Sequence, residues 1–403
     1  MKYFFTTTLI LVLANSFVNA QCNGRYQNEI FSAVTIHSNI VFGSNTSNTG
    51  APVTLKLDIY EPTGDTASIR PVLMMAHGGS FIGGSKTDAD VVAICQSFAK
   101  RGYVTCSYEY RLGIQGLPDQ TKATDAVYRA VQDGKAAVRF FRQDAATTNT
   151  YKIDPTQIFL GGSSAGAFIA LHLAYLNTPA ELPVTIDTIA LGGMEGNSGN
   201  PGYASNVKAI VNLCGAIGDK TWIVPGDIPV CSMHGTQDQT VPYNHAVLSM
   251  FGFIPIMPVD GSSVIHPYAL SQGVDSWYYQ WEGADHVPYI GSQLYMDTTL
   301  SYVRDFLYQH LNCFVPSTVS EIKSPDYKMY PNPSADFVFV DLSTSGAYQN
   351  TIQLFDIYGK VVRAYTDFSG AKLKIEQDEL SSGTYFLRIS NVENTSTGKI
   401  IFQ

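Results

Sequence analysis

A serine that could act as a nucleophile stands at Ser164, inside Gly162-Ser163-Ser164-Ala165-Gly166. An apolar run precedes this pentapeptide and a small-residue helical pattern follows it, so the segment reads as strand, sharp turn and helix. A side chain at the apex of such a turn projects into a cleft, and glycines two residues before and after it let strand and helix pass closely. The helix N-terminus aims free N–H groups at whatever Ser164 attacks. A serine hydroxyl is a weak nucleophile until a base takes its proton, and that base needs an oriented acceptor. Of eight histidines, His286 is the best base, because it follows a predicted strand, lies between Gly283 and Pro288, and precedes the last predicted helix. His234 is the second choice. Asp238 falls in a turn just past a strand, where its carboxylate can accept an imidazole proton on Nδ1, whereas Asp219 and Asp227 read as solvated turn residues. Oxyanion donors are expected from the N–H groups of Ala165 and of Gly79 and Ser80 in His77-Gly78-Gly79-Ser80-Phe81. The chemistry these residues fit is acyl transfer through a covalent acyl-enzyme, and it calls for no metal and no cofactor.

Strands alternating with helices must carry these loops to one edge of a sheet. Residues 31–40 and 53–60 alternate apolar with polar around a turn-rich stretch and read as an antiparallel pair at a sheet edge. Residues 71–77 form a continuous apolar run stopped by the glycine loop, as in a strand buried on both faces. Helical periodicity follows at 88–100, a strand at 103–108 and a long amphipathic helix at 121–141. Further strands are expected at 207–214, 228–233 and 276–281, then a helix at 294–311. This is an α/β fold, a mostly parallel sheet with helices on both faces. Two stretches break the rhythm, 191–205 and 249–274, and loops of that length usually wall a binding site. Phe81, Phe251, Phe253 and His266 are the candidate substrate contacts. Beyond a Pro-, Ser- and Thr-containing linker at 316–327, short strands split by Gly, Asn and Ser turns over 328–403 read as a small all-β sandwich.

Charged residues make up only 15% of the 403-residue chain and the net charge is −9. No basic footprint points to nucleic acid. Residues 1–20 have the short positive start, the short apolar core and the small residues of a secretory signal peptide, leaving a catalytic domain at 21–315. Six cysteines in an exported chain invite disulfides, with Cys22 and Cys313 at the two ends of that domain as one pairing; buried free thiols are the other reading.

The glycine loop at 77–81, Tyr108-Glu109-Tyr110-Arg111-Leu112, the Ser164 pentapeptide and the order Ser164, Asp238, His286 together resemble the secreted α/β-hydrolase carboxylesterases and lipases. Ser80 stands where the hormone-sensitive-lipase-like motif has a third glycine. The resemblance implies ester hydrolysis of short-chain, aryl or polymer-linked esters, with Ser164, His286 and Asp238 as nucleophile, base and acid. The stretch from Tyr330-Pro331-Asn332-Pro333-Ser334 through Leu380-Ser381-Ser382-Gly383-Thr384-Tyr385 resembles the C-terminal sorting domain of the type IX secretion system. That implies passage through the periplasm and release to the outer cell surface or medium, with the secretion machinery as partner of residues 328–403. Three alternatives stay open: a serine peptidase of the prolyl-oligopeptidase type, a non-catalytic surface binding protein, and a carbohydrate-binding sandwich, which would show a row of exposed aromatic residues on one face.

Overall fold

The computed structural model describes residues 24–312 apart from 115, and residues 327–403 apart from 344–348, 358 and 392–394. The leader at 1–20, the linker up to 326 and the Cys22–Cys313 pairing therefore lie outside the described residues. The chain divides into two compact units, Met1–Phe314 and Val315–Gln403. Among the described residues no helix is long and apolar enough to cross a membrane.

The first unit runs β1 (Val34–Thr46), β2 (Pro52–Pro62), β3 (Arg70–Ala76), α1 (Ala89–Lys100), β4 (Val104–Tyr108), α2 (Gln120–Ala146), β5 (Ile153–Ser163), α3 (Ala165–Tyr175), β6 (Ile210–Leu213), β7 (Ala216–Ile217), β8 (Val230–Gly235), β9 (His245–Met250), β10 (Ile254–Gly261), α4 (Ser262–Ser271), β11 (Ser276–Trp281) and α5 (Gln293–His310). Eight strands form one sheet in the order β1-β2-β4-β3-β5-β6-β8-β11. β1 and β2 are antiparallel to their neighbours, and every pairing from β4 to β11 is parallel. β3 shows why its sequence is apolar without alternation. Val72, Met74 and Ala76 pack into one core with α2 and α3, while Leu73 and Met75 pack into a second core with α1 and α5. Side chains alternate across a strand, so a strand covered on both faces must be apolar at every position.

Two expectations need correction. Residues 249–274 are not a loop: they contain the end of β9, all of β10 and α4, with Phe251 and Gly252 at positive φ (57° and 77°) turning the hairpin. Glycine and proline at 252, 255 and 258 interrupt the alternation that would have announced it; a register shift falls between Pro255 and Met257, and Pro267 lies inside α4. Residues 191–205 are irregular but strapped to α2. Gln132 Nε2 donates to the carbonyls of Leu191 and Gly193, Lys135 Nζ to that of Met194, and Arg139 to those of Glu195 and Gly199. Donors from a packed helix make this segment part of the framework instead of a substrate wall. Cys95, Cys106, Cys214 and Cys231 are buried free thiols, each pushed up by burial and so held protonated.

The second unit holds β12 (Lys328–Tyr330), β13 (Phe337–Asp341), β14 (Asn350–Phe355), β15 (Val361–Phe368), β16 (Lys372–Glu376), β17 (Gly383–Ser390) and β18 (Thr395–Phe402). They make a three-stranded sheet, β12-β13-β16, and a four-stranded one, β15-β14-β17-β18, and Val338, Val340, Leu354, Ile375, Leu387 and Ile400 fill one core between them. On the outer face, Tyr330, Phe339 and Phe337 do form an aromatic row. Lys372 Nζ stands 5.0 and 5.1 Å over Tyr330 and Phe339, and Lys374 Nζ 4.5 Å over Phe337. Cations already occupy the ring faces on which a sugar would stack.

Candidate active site

Ser164 sits between β5 and α3 with φ 53° and ψ −116°, a strained backbone that neighbouring groups must impose. Its N–H donates to Leu213 O at 2.9 Å, and its carbonyl accepts from Ala167 and Phe168. The two flanking glycines are steric requirements. A Cβ on Gly162 would lie 2.1 Å from the Gly166 carbonyl, and a Cβ on Gly166 would lie 2.1 Å from Ala76 O. Strand and helix can therefore cross only with hydrogen at both places.

The structure brings Ser164, His286 and Asp238 together. Ser164 Oγ donates to His286 Nε2 at 2.8 Å, and His286 Nδ1 donates to Asp238 Oδ2 at 2.6 Å. Asp238 follows β8 and His286 follows β11, and these strands pair in parallel. The loops are locked to one another: Asp285 Oδ1 accepts the N–H groups of His286 (2.7 Å) and Gln239 (2.8 Å). A Cβ on Gly235 would lie 2.5 Å from the carbonyl oxygens of Ala284 and Asp285, so the glycine after His234 is what lets the two loops meet. The Asp238 side chain is fully buried. Burial alone would raise its carboxyl, but hydrogen bonds from His234 and His286, the His286 charge and the Val241 N–H outweigh that and hold it well below the usual carboxylate range. Its other oxygen accepts Thr240 and Val241 N–H at 2.8 Å each.

The glycine loop passes beside the serine, since a Cβ on Gly78 would lie 3.4 Å from Ser164 Cβ. Gly79, Ser80 and Phe81 all have positive φ (105°, 55° and 60°). For Ser80 and Phe81 this is a costly conformation, and it is braced from behind. His77 stacks on Tyr110 at 4.3 Å, and Tyr110 Oη lies 3.0 Å from the carbonyl oxygens of both His77 and Gly78. Burial pushes the Tyr110 phenol up, which keeps it a donor. Among the described residues, the N–H groups of Gly79, Ser80 and Ala165 have no acceptor, as groups reserved for a ligand oxygen would. Ser80, Phe81, Ser164 and Ala165 line the same cavity.

That cavity measures about 1020 Å³. It extends from Ser164 to Leu176, the residues flanking the two ends of the 11-residue α3, a distance of about 18 Å at 1.5 Å per residue. Phe168, Trp222, Leu182 and the hairpin residues Met250, Phe251 and Ile256 supply apolar wall. His172, also on the wall, donates through Nδ1 to Phe168 O and accepts Gly218 N–H at Nε2; burial lowers it to about 4, so it presents a neutral ring. Of the candidate substrate contacts, Phe81 and Phe251 line the cavity. Phe253 and His266 do not: Phe253 is 75% exposed at the hairpin turn, and His266 bonds Ser276 Oγ at 2.9 Å and stacks on Tyr278. Neighbouring spacing on the hairpin could not distinguish Phe251 from Phe253, because the turn sends them different ways.

Sequence reasoning passed over several residues. Tyr110 and Arg111 belonged to a motif noted only for its likeness; Arg111 turns out to pair with Asp133 at 2.9 Å, both buried, and Ser198 Oγ closes on Asp133 at 2.5 Å. Ser163 Oγ meets Tyr289 Oη at 2.7 Å beside Ser164. His234, second choice as base, instead faces Asp238, with Nε2 3.1 Å from its Oδ2. Cys214, Asp238 and His286 place ligand-type atoms within 4.8 Å of one another, but both ring nitrogens of His286 are already engaged by Ser164 and Asp238, leaving no lone pair for a metal.

Residues 57–219 match the family model BD-FAE, and residues 328–403 match the model of the Secretion system C-terminal sorting domain. The chain is 35% identical over 120 residues to Carboxylesterase 3B of Mus musculus, covering 30% of this chain and 20% of that protein. It is 29% identical over 140 residues to a probable isoprenylcysteine alpha-carbonyl methylesterase of Oryza sativa subsp. japonica, covering 35% and 28%. It thus spans less than a third of either relative. A solved structure, Thermogutta terrifontis esterase 2 phosphoramylated by tabun, superposes with a TM-score of 0.50 at 23% identity, over 71% of this chain and 97% of that one. That likeness is one of fold.

Proposed function

We propose that the chain, which belongs to the α/β-hydrolase esterases and ends in a secretion-system sorting domain, hydrolyses carboxylic esters through an acyl-enzyme on Ser164. The observation that carries this reading is the unbroken path Ser164 Oγ, His286, Asp238 at 2.8 and 2.6 Å, which opens at Ser164 onto a largely apolar cavity. His286 Nε2 takes the Ser164 proton as Oγ attacks the ester carbonyl, and later returns it to the leaving alcohol. Asp238 keeps the ring in the tautomer with Nδ1–H and stabilises the imidazolium. The N–H groups of Gly79, Ser80 and Ala165 receive the oxyanion; each such donor typically contributes about 3–4 kcal/mol in the transition state. Water then repeats the sequence on the acyl-enzyme. Export runs through the periplasm, with residues 328–403 addressed to the type IX machinery.

The cavity favours esters with an extended apolar aryl or alkyl group, attached to a small alcohol or to a polymer, over acetyl esters alone. Leu182 lines it together with Leu176, at the end of α3 away from Ser164. Leu182→Trp is therefore expected to lower kcat/KM for p-nitrophenyl decanoate by about tenfold or more while leaving p-nitrophenyl butyrate near wild type. Equal losses on both esters would remove the far end of the cavity from the substrate path. The same assay run with a feruloyl ester, acetylxylan and a proline dipeptide amide tests the class as a whole. Turnover of the esters without the amide is expected, and cleavage of the amide alone would replace the esterase with a peptidase.

A further inference from the structure

Asp238 Oδ2 faces two imidazoles, and only one of them reaches the serine. His234 Nε2 lies 3.1 Å from Asp238 Oδ2 and 3.3 Å from Val241 O. Both neighbours are acceptors only, so Nε2 must carry a proton shared between them. On the other side of the ring, Nδ1 lies 2.9 Å from Ser262 Oγ. Asn212 fixes which way that bond runs. Its Oδ1 accepts Gly215 N–H at 2.9 Å, and its Nδ2 donates to Ser262 Oγ (3.1 Å) and Ser232 Oγ (3.0 Å). Ser262 Oγ accepts from Asn212 and, among the described residues, has no acceptor for its own proton other than His234 Nδ1, so it donates there. The result is a one-way series of donors, Asn212 to Ser262 to His234 to Asp238, that places a hydrogen of His234 on Nε2. Asn212, Ser232, His234 and Ser262 are all fully buried, so no water competes for any of these atoms. The series ties β6, the start of α4 and β8 to the acid.

We propose that His234 is a positioning residue for ester hydrolysis: its Nε2–H shares Asp238 Oδ2 with His286 Nδ1–H, fixing the carboxylate and limiting how strongly it holds the protonated base. The inference rests on the esterase reading above. A carboxylate oxygen divided between two donors pulls less on each, so His286 releases its proton more readily to the leaving alcohol. Other titratable groups near this pair are Asp285 on the His286 loop, Cys214 at the end of β6, Tyr289 beyond His286, and Tyr243, whose ring centroid lies 5.8 Å from that of His234. None of them donates to Asp238 Oδ2.

The test compares His234→Phe, which removes the donor, with His234→Gln, whose Nε2 can replace it. For p-nitrophenyl butyrate, H234F is expected to lose about 10- to 100-fold in kcat, the scale of a misplaced catalytic group, with little change in KM. The acid limb of its kcat/KM profile should move to higher pH by about half a unit or more, and its His286 Nδ1–H proton resonance should move downfield. H234Q should recover most of the rate and the wild-type limb. A folded H234F with unchanged limb and resonance overturns the proposal, as does an H234Q no better than H234F. If H234F does not fold, Ser262→Ala decides: it frees the ring to place its hydrogen on Nδ1, and an unmoved limb in that variant also overturns it. The resonance is read without turnover, so failure of the esterase reading, seen as a wild type inactive on every ester, remains distinguishable.

Discussion

Ser164→Ala is expected to lower kcat for ester hydrolysis by about 10⁴- to 10⁶-fold while leaving the unfolding midpoint near that of wild type. The backbone at 164 is held by groups the substitution keeps, namely the N–H to Leu213 O and the carbonyl that accepts from Ala167 and Phe168. Alanine pays the same cost as serine for φ 53°. Only Oγ is lost, and with it the atom proposed to attack. What rate survives comes from oxyanion donors acting on bulk water. Retention of more than about 1% of wild-type turnover in a purified, folded S164A would place the nucleophile elsewhere.

Asp238→Asn is expected to cost about 10³- to 10⁴-fold in kcat without loss of fold. One carboxylate oxygen accepts two backbone N–H groups, from Thr240 and Val241, so the amide oxygen must stay there. The NH₂ then takes the place of Oδ2, facing His286 Nδ1 and His234 Nε2. Two N–H groups cannot donate to each other. His286 therefore moves its hydrogen to Nε2, which now points a donor at Ser164 Oγ and can take no proton from it. Measured kcat and thermal midpoint separate this from simple unfolding. A D238N enzyme with near wild-type kcat would mean that another group orients the base.

How much of this was legible in the chain depended on the range of the interaction. The turn at Ser164 is built within five residues, so Gly162 and Gly166 betray it. The Asp238 and His286 loops each follow a recognisable strand and carry their own glycine. In the second unit β16, Lys-Leu-Lys-Ile-Glu, alternates in burial as it alternates in sequence. The series from Asn212 to Asp238 was invisible because Ser262 lies 50 residues from Asn212 and 28 from His234, and nothing local marks any of them as polar partners in a core. The bracing of residues 191–205 by α2 was hidden in the same way. In the hairpin, prolines at 255 and 258 masked a strand whose pairing with β7 is confined to Asp260 and Gly261, so that beside the prolines only the β9 side is paired and missing N–H donors are tolerated.

The order of strands in the main sheet separates the three chemical groups unequally. Ser164 follows β5, which is paired on both sides, and Asp238 follows β8, also paired on both sides. His286 follows β11, which among the described residues pairs with β8 alone. The outermost strand of a sheet opens at lower free energy than its centre. The proposed base is thus mounted on the margin and the proposed nucleophile in the middle. On the proposed mechanism, partial loosening of that margin is expected to disconnect His286 from both Ser164 and Asp238 while the central strands stay intact, making catalytic competence a more delicate property than foldedness.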